Sequence, residues 1–183
     1  MSKIGIYVDG SAPINVATAD NPAGWGLVVV QDVVPHEGGN AILARYGPVL
    51  TEPEYIGYIG AEVGSNNTAE LSAIFHALIE MANVASTEDE ITIYGDSQYA
   101  GMLANGSWKP KANKTLVKII RKEWQRRQEQ GYNFTWAHVR AHSDNKWNDM
   151  ADEYANKGAL MDQSLPDLTV KLWVSLDEFK YEI

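Results

Sequence analysis

The sequence predicts an α/β domain built on a mixed β-sheet with helices packed on its faces. The first fifty residues contain three segments rich in β-branched and aromatic residues, separated by turn residues, which indicates an antiparallel meander. The remainder alternates strand-like segments with helices whose apolar residues recur at helical spacing. Strands joined through helices usually pair in parallel, so the sheet should contain both orientations.

The antiparallel part is predicted from strands at residues 3–11, 24–30 and 41–50. A loop with two prolines, residues 12–23, joins the first two strands, and residues 32–40 form the next turn. Residues 51–64 fit either a short strand or an ordered loop.

The second half is predicted to contain four helices and two further strands. The helices cover residues 67–83, 98–104, 112–130 and 145–157, and the strands cover residues 91–97 and 132–139. Gly158 is placed as the C-terminal stop of the last helix. We expect one domain over residues 1–159 and a C-terminal extension over residues 160–183, in which residues 168–174 could form a strand.

The composition fits a single domain without disulfides. The chain has 183 residues, of which 45% are hydrophobic, enough for a substantial core. It has no cysteine, which excludes disulfides and thiolate metal ligands. There is no long apolar run and no basic N-terminal region followed by an apolar segment, so we expect a soluble cytoplasmic protein without membrane contact.

Four acidic residues stand beside predicted buried faces on four separate elements. Asp9 and Asp96 each end a β-rich run, Glu70 is placed in the first turn of a helix, and Asp152 flanks the apolar stripe of the last helix. Each one alone is explained by turn capping or by a solvated helix face, and Asp9 before Gly10 is ordinary turn chemistry. Burying an unpaired carboxylate is costly, so four converging acids favour a cation site. An all-carboxylate set suits Mg²⁺ better than Zn²⁺.

The charge is unevenly distributed. The net charge is −9, yet eight of the fifteen Lys and Arg residues lie between residues 105 and 127, against the single acid Glu123. Such a basic segment on an acidic chain is typical of a surface that contacts a polyanion. A solvated helix face is the alternative, and for Arg126 and Arg127 both interpretations remain open.

Four motifs resemble ribonuclease H of type 1. They are YVDGS with Asp9, NNTAEL with Glu70, YGDSQY with Asp96, and HVRAHSDNKWNDMADEYA with His142 and Asp152. They occur in the order that is typical of that family and span residues 3–159. The resemblance implies the ribonuclease H fold, a five-stranded mixed sheet flanked by helices, in a monomer that cleaves the RNA strand of RNA–DNA hybrids.

The resemblance also implies roles for the acids. Asp9, Glu70, Asp96 and Asp152 would bind two Mg²⁺ ions, for which Mn²⁺ could substitute, with Asp9 bridging both. Asp152 would help to hold the ion that activates water, and Glu70 and Asp96 the ion at the leaving 3′ oxygen, giving 5′-phosphate and 3′-hydroxyl ends. His142 would aid water delivery or product release. Asp149 is a rival to Asp152, but the ADEYA sequence fits the family motif.

Substrate-binding residues are implied by the same resemblance. Asn66 and Asn67 would read the RNA 2′-hydroxyl with the main chain near Gly10 and Ser11. DNA contacts would come from Ser65 and Asn113 at a phosphate and from Trp108 at a sugar. Independently of the resemblance, the basic segment predicts further contacts from Lys109 and Lys111. The chain departs from the family pattern in that residues 106–114 are too few for a basic protrusion, the loops 12–23 and 51–64 are long, and the tail matches nothing in it.

Two other functions are compatible with parts of this pattern. A proofreading-type 3′–5′ exonuclease also uses four acids, but it carries Glu two residues after the first Asp, where this chain has Ser11, and its His lies closer to the last Asp. A catalytically silent hybrid-binding module would have no need for four mutually repelling acids.

Overall fold

The computed structural model describes residues 2–14, 16–34, 38–140, 145–162 and 170–173. The predicted site residue His142 and most of the C-terminal extension lie outside the described residues.

The centre of the fold is one mixed sheet. Its strands are β1 (Lys3–Ser11), β2 (Gly24–Val34), β3 (Gly38–Pro48), β4 (Glu90–Gly95), β5 (Asn133–His138) and β6 (Val170–Trp173), in the spatial order β5-β4-β1-β2-β3-β6. The pairs β1–β2, β2–β3 and β3–β6 are antiparallel, and β1–β4 and β4–β5 are parallel. The predicted five-stranded mixed sheet is therefore confirmed, and the tail adds a sixth strand at the β3 edge.

Four helices cover the sheet: α1 (Asn66–Val84), α2 (Gln98–Ala104), α3 (Lys114–Glu129) and α4 (Lys146–Ala159). Apolar residues of α1, α2 and α3 pack with Ile4, Ile6 and Val8 of β1 in one core cluster. The second cluster joins Tyr7 of β1 to Trp147 and Tyr154 of α4. Alternate residues of β1 therefore enter opposite cores, as the pleat requires. None of the described helices is long and apolar enough to cross a membrane.

The structure differs from the predicted boundaries at the β2–β3 connection and at Gly158, and by one or two residues at most other elements, while residues 51–64 take one of their two predicted forms. The strands β2 and β3 extend into residues predicted as a turn, so the connection between them is shorter than expected. Residues 51–64 form an ordered loop, joined to the other long loop by an isolated bridge between Thr18 and Gly64. Gly158 does not end α4. It lies within the helix, where a side chain would meet the carbonyl oxygen of Gly47.

The helix α4 packs unusually close to the sheet because β2 presents glycines to it. A Cβ atom on Gly26 would lie 2.5 Å from the carbonyl oxygen of Ala151 and 2.5 Å from the nitrogen of Ala155. Gly26 is also the cross-strand partner of Asp9 in β1. This contact therefore determines how closely α4 approaches the end of β1.

We expect Gly26→Ala to lower the free energy of unfolding by about 1–3 kcal/mol, because the new methyl group meets helix backbone that has no room to move. Urea denaturation measures the loss. Gly5→Ala is the matched control in the same sheet and should cost less, since its new methyl group would meet side-chain atoms only, of Val33, Tyr94 and Tyr7, at 3.0–3.3 Å. Equal losses for the two variants would contradict the role given to the Gly26 contact.

Candidate active site

Asp9 lies at the end of β1 and is 4% exposed. Its carboxylate oxygen Oδ1 accepts a hydrogen bond of 2.9 Å from the backbone N–H of Gly10. Gly10 itself packs against α1, because a Cβ atom there would lie 2.3 Å from the backbone nitrogen of Glu70. The end of β1 and the start of α1 are therefore in direct contact.

Asp96 and Glu70 reach the same edge of the sheet from two other elements. Val8 and Gly95 are partners in the parallel β1–β4 pair, so Asp9 and Asp96 follow next to each other. The helix α1 begins with Ser65 as its N-cap, whose side chain accepts a hydrogen bond from the Thr68 N–H. Because the helix begins at Asn66, Glu70 lies in its second turn, which corrects the prediction of the first turn.

The three carboxylates converge. One carboxylate oxygen from each of Asp9, Glu70 and Asp96 lies within 4.8 Å of the other two. None of the ion pairs among the described residues involves these acids. Among the described residues, no ion pair therefore offsets the mutual repulsion of these carboxylates.

This arrangement raises the pKa of all three acids. Burial, followed by the charges of Asp96 and Asp152, raises the pKa of Asp9 from 3.8 to about 8. Burial and the neighbouring Asp9 raise the pKa of Glu70 well above its usual range. Burial and the charge of Asp152 raise the pKa of Asp96.

Asp152 faces this group from α4, on the other side of the sheet. Its charge raises the pKa of both Asp9 and Asp96, so it lies near both, although it is itself exposed. Asp149 lies in the first turn of α4 and is also exposed. Of the two rival acids, it is Asp152 whose charge acts on the site.

Asn148 is a site residue that the sequence did not indicate. It is 5% exposed, and its side chain hydrogen-bonds Asp96. This bond lowers the pKa of Asp96 and partly offsets the burial and the Asp152 charge, which raise it. The carbonyl oxygen Oδ1 of Asn148 is buried without a hydrogen-bond partner among the described residues. The sequence feature that could have identified Asn148 is its position four residues before Asp152, which puts both side chains on one face of α4.

His138 is a second neighbour of the site. It ends β5, and its Nε2 lies 3.1 Å from the backbone carbonyl oxygen of Asp96. The adjacent Val139 donates a hydrogen bond of 2.7 Å to the carbonyl oxygen of Gly95. The end of β5 therefore supports the backbone that presents Asp96.

The residues predicted to contact RNA lie around the end of β1. The side-chain oxygen of Asn66 accepts a hydrogen bond of 3.0 Å from the backbone N–H of Ala12. Ser11 donates a hydrogen bond of 2.5 Å to Asn156 of α4. Asn67 is exposed beside Asn66. The side chains of Asn66 and Ser11 thus position local structure, in addition to any contact with a ligand.

The residues predicted to contact DNA line two clefts next to each other. Ser65, Asn66, Asn67 and Asn113 line a cleft of about 400 Å³. Trp108, Lys109 and Lys111 line a second cleft of about 610 Å³, with Tyr99 on its wall. Ala112 lines both clefts. The predicted DNA contacts therefore form one continuous surface that starts at the N-terminus of α1.

The family model for RNase H matches residues 1–160. The chain belongs to the ribonuclease H family. Its curated relatives include the ribonuclease H of Verminephrobacter eiseniae, which is 30% identical over 90% of this chain and 94% of its own length. The ribonuclease H of Pseudomonas fluorescens is 29% identical over 85% of this chain and 91% of its own.

Solved ribonuclease H structures share the fold. A ribonuclease H1 isolated from compost by a metagenomic approach has a TM-score of 0.58 and 26% identity, covering 86% of this chain and 98% of its own. The N-terminal RNase H domain of a Mycobacterium tuberculosis protein has a TM-score of 0.62 and 23% identity, covering 87% of this chain and 94% of its own. The family places this chain among the nucleases, in agreement with the resemblance seen in its motifs.

Ribonuclease H enzymes are metal-dependent, and the acids of this family member fit a divalent cation. All the converging donors are carboxylate oxygens, the ligands that hard cations such as Mg²⁺ and Mn²⁺ prefer. Burial and the neighbouring acidic charges raise the pKa values of these acids, which opposes their ionisation. A cation at this position would favour the ionised carboxylates and reduce the electrostatic repulsion between them.

We expect the metal-free protein to lose stability as the pH rises from about 4 to about 8. The folded Asp9 keeps its proton up to a pKa of about 8, whereas the unfolded residue titrates near 3.8, so the native state binds more protons in this window. The slope has an upper limit of about 1.4 kcal/mol per pH unit for one group. Urea denaturation in EDTA at several pH values measures it.

Asp9→Asn should reduce that slope and leave the part that comes from Glu70 and Asp96, and saturating Mg²⁺ should flatten it in the wild type. Asp149→Asn removes an exposed acid from α4 and should leave the slope unchanged. Parallel curves for the wild type and Asp9→Asn would show that Asp9 is not the group responsible.

We expect Asn148→Leu to weaken Mg²⁺ binding by about tenfold or more, because a hydrogen bond to a charged group contributes about 1.5–3 kcal/mol. Thermal unfolding at increasing Mg²⁺ concentration measures the apparent affinity. Asn156→Leu, on the same helix but bonded to Ser11, is the control and should bind Mg²⁺ nearly as the wild type does. If both variants lose affinity equally, Asn148 acts only through helix packing.

Proposed function

We propose that this chain is an endoribonuclease that hydrolyses the RNA strand of RNA–DNA hybrids and leaves 5′-phosphate and 3′-hydroxyl ends. The observation that carries the proposal is the convergence of Asp9, Glu70 and Asp96 beside clefts lined by amide, aromatic and lysine side chains. A relative of the same fold, the compost ribonuclease H1, has been crystallised with an RNA/DNA hybrid, at 22% identity and a TM-score of 0.58.

In this proposal Asp9, Glu70, Asp96 and Asp152 hold two Mg²⁺ ions, which supply Lewis-acid charge at the scissile phosphate and lower the pKa of the attacking water. The chain's own contribution is a preorganised set of ligands. Asp9 is held by the Gly10 N–H, and Asp96 by Asn148. Asp152 is the most exposed of the four and has the greatest freedom to adjust as substrate binds.

RNA is recognised through its 2′-hydroxyl groups, which DNA lacks. Asn66 suits this role because its carbonyl oxygen is engaged by Ala12 N–H, while its amide nitrogen has no hydrogen-bond partner among the described residues. The Ala12 contact orients that nitrogen, and Glu70 follows Asn66 by four residues on the same face of α1. We also assign contacts with the RNA strand to Asn67 and to the main chain at Gly10 and Ser11.

The DNA strand is assigned to the neighbouring clefts. Ser65 and Asn113 would contact a phosphate, although the Ser65 hydroxyl already caps α1 and would have to serve both partners. Trp108 is 42% exposed, so its ring is available to a sugar, and Lys109 and Lys111 flank it. We assign catalysis to residues 1–159, with His142 assisting turnover, and the family match over residues 1–160 supports that limit.

Cleavage of a labelled RNA–DNA hybrid in Mg²⁺ tests the proposal, with duplex RNA and duplex DNA of the same sequence as comparison substrates. The wild type should cut only the RNA strand of the hybrid. Asp96→Asn and Asp152→Asn should each lower the rate by orders of magnitude, because each removes a carboxylate that binds the metal.

Asp149→Asn is the matched control for Asp152→Asn, with the same chemical change three residues away on the same helix. It should retain near-normal turnover. The proposal fails if the wild type leaves the hybrid intact, or if Asp96→Asn turns over normally while circular dichroism shows both proteins folded.

A further inference from the structure

The outer face of α3 carries a row of lysines that the proposed active site does not use. Lys114, Lys118 and Lys122 are spaced by four residues and are all exposed. Each is offset by two residues from a buried residue, in the series Leu116, Ile120 and Trp124, so the row points away from the core. Within the part of the chain that the structure describes, none of the three forms an ion pair.

The lack of partners distinguishes this row from its neighbours. Arg126 and Arg127 on the same helix both pair with Glu123, at 3.3 Å and 3.6 Å. Of these two, Arg127 also donates to the carbonyl oxygen of Leu78 and is buried, which makes it a structural residue. In a chain with 24 acidic residues and 15 basic ones, three adjacent unpaired lysines are a segregated positive charge.

The row starts at the proposed substrate surface and leads away from it. Ala112 and Asn113, which precede α3, share a cleft with Ser65 and Asn66 at the start of α1. Near the other end, Arg127 bonds to Leu78, far along α1. The helices α1 and α3 therefore run side by side in the same direction, and both leave the catalytic edge.

The loop before α3 is anchored on the same face. The guanidinium of Arg121 donates a hydrogen bond of 2.8 Å to the carbonyl oxygen of Leu103 and another to that of Trp108. These bonds hold the loop that carries the exposed Trp108 against α3 at Arg121, the residue before Lys122. An exposed aromatic ring beside a line of cations is the combination that proteins use to bind single-stranded nucleic acid.

The direction of the lysine row indicates whether a duplex or a single strand could bind along it. A hybrid that reaches both the acids and the Asn113 cleft lies across the starts of α1 and α3. A duplex is stiff over about 150 base pairs and could not turn to follow α3. A single strand that continues from the hybrid could follow it. The row spans about 12 Å, which is the length of about three or four nucleotides at the roughly 3.4 Å rise of a stacked strand and of fewer in an extended one.

We propose that Lys114, Lys118 and Lys122 form a track for the single-stranded DNA that continues beyond the end of a bound hybrid, starting from the hybrid surface at Trp108. The proposal rests on the proposed function, because it takes the hybrid in the cleft as its starting point. It extends the substrate from an isolated hybrid to a junction between hybrid and single strand.

The experiment compares a blunt hybrid with the same hybrid carrying a DNA overhang of about ten nucleotides at one end or the other, a length within the range of single-strand sites. Binding is measured by fluorescence anisotropy in EDTA over a range of salt concentrations. The metal-free acids repel both substrates alike, so the ratio of the two affinities reports on the overhang. One of the two overhangs should tighten binding by the wild type.

The double variant Lys118→Gln and Lys122→Gln should lose this gain. Its log–log salt slope for the overhang substrate should be smaller by about 1.4, since each phosphate contact on a single strand contributes about 0.7. Its affinity for the blunt hybrid, and its cleavage of that hybrid in Mg²⁺, should equal those of the wild type. Lys3→Gln removes an exposed lysine at the start of β1, opposite the catalytic edge, and should change neither measurement.

Two outcomes would overturn the track. Either the wild type binds the blunt and overhang substrates equally, or the double variant weakens both by the same factor, which would make the row part of the duplex site. Failure of the wild type to cleave the blunt hybrid is a separate result and contradicts the proposed function instead.

Discussion

The constraint on which the structure depends is the burial of several carboxylates at one edge of the sheet. Parallel pairing of β1 with β4 puts Asp9 beside Asp96, and the contact of Gly10 with α1 brings Glu70 to them. Like charges at this distance oppose ionisation, as the raised pKa values of the three acids show. The fold tolerates this cost because two hydrophobic cores, one on each face, hold the strands in place. In the proposed function this group would be formed before the metal binds, which is what a positioned catalytic centre requires.

The helix α4 brings a fourth acid, Asp152, to this group. It packs on the opposite face from α1, and the glycines of β2 let it approach until Asp152 acts on Asp9 and Asp96. The same face of the helix carries Asn148 and Asn156, which bond to Asp96 and Ser11. One polar row, at a spacing of four residues, therefore connects α4 to the ends of β4 and β1. Disturbing the packing of α4 should for this reason affect stability and metal binding together.

The chain is acidic as a whole, but its exposed lysines are concentrated on α3 and the loop before it. Acidic residues outnumber basic ones by 24 to 15, which disfavours general attraction to nucleic acid. The exposed lysines of α3 and of the loop before it lie next to the clefts beside the acids. A polyanion would therefore be repelled by most of the surface and attracted at one place. Such segregation orients the substrate as it approaches, and its effect weakens as salt is added.

The sequence by itself determined the elements and the acids of this protein. The strand β1 and the helix α2 were predicted to the residue, because alternation and helical spacing are local patterns. The four acids could be recognised because each stands beside a buried face within its own motif. Tertiary structure alone decided which residues meet across long separations. Asn148 reaches Asp96 only because α4 covers the sheet. Ser11 and Asn156 form a hydrogen bond although they are 145 residues apart. The tail strand β6 pairs with β3, although β5 also offers an edge of the sheet. These contacts depend on how faces pack together, and no local pattern in the chain encodes that information.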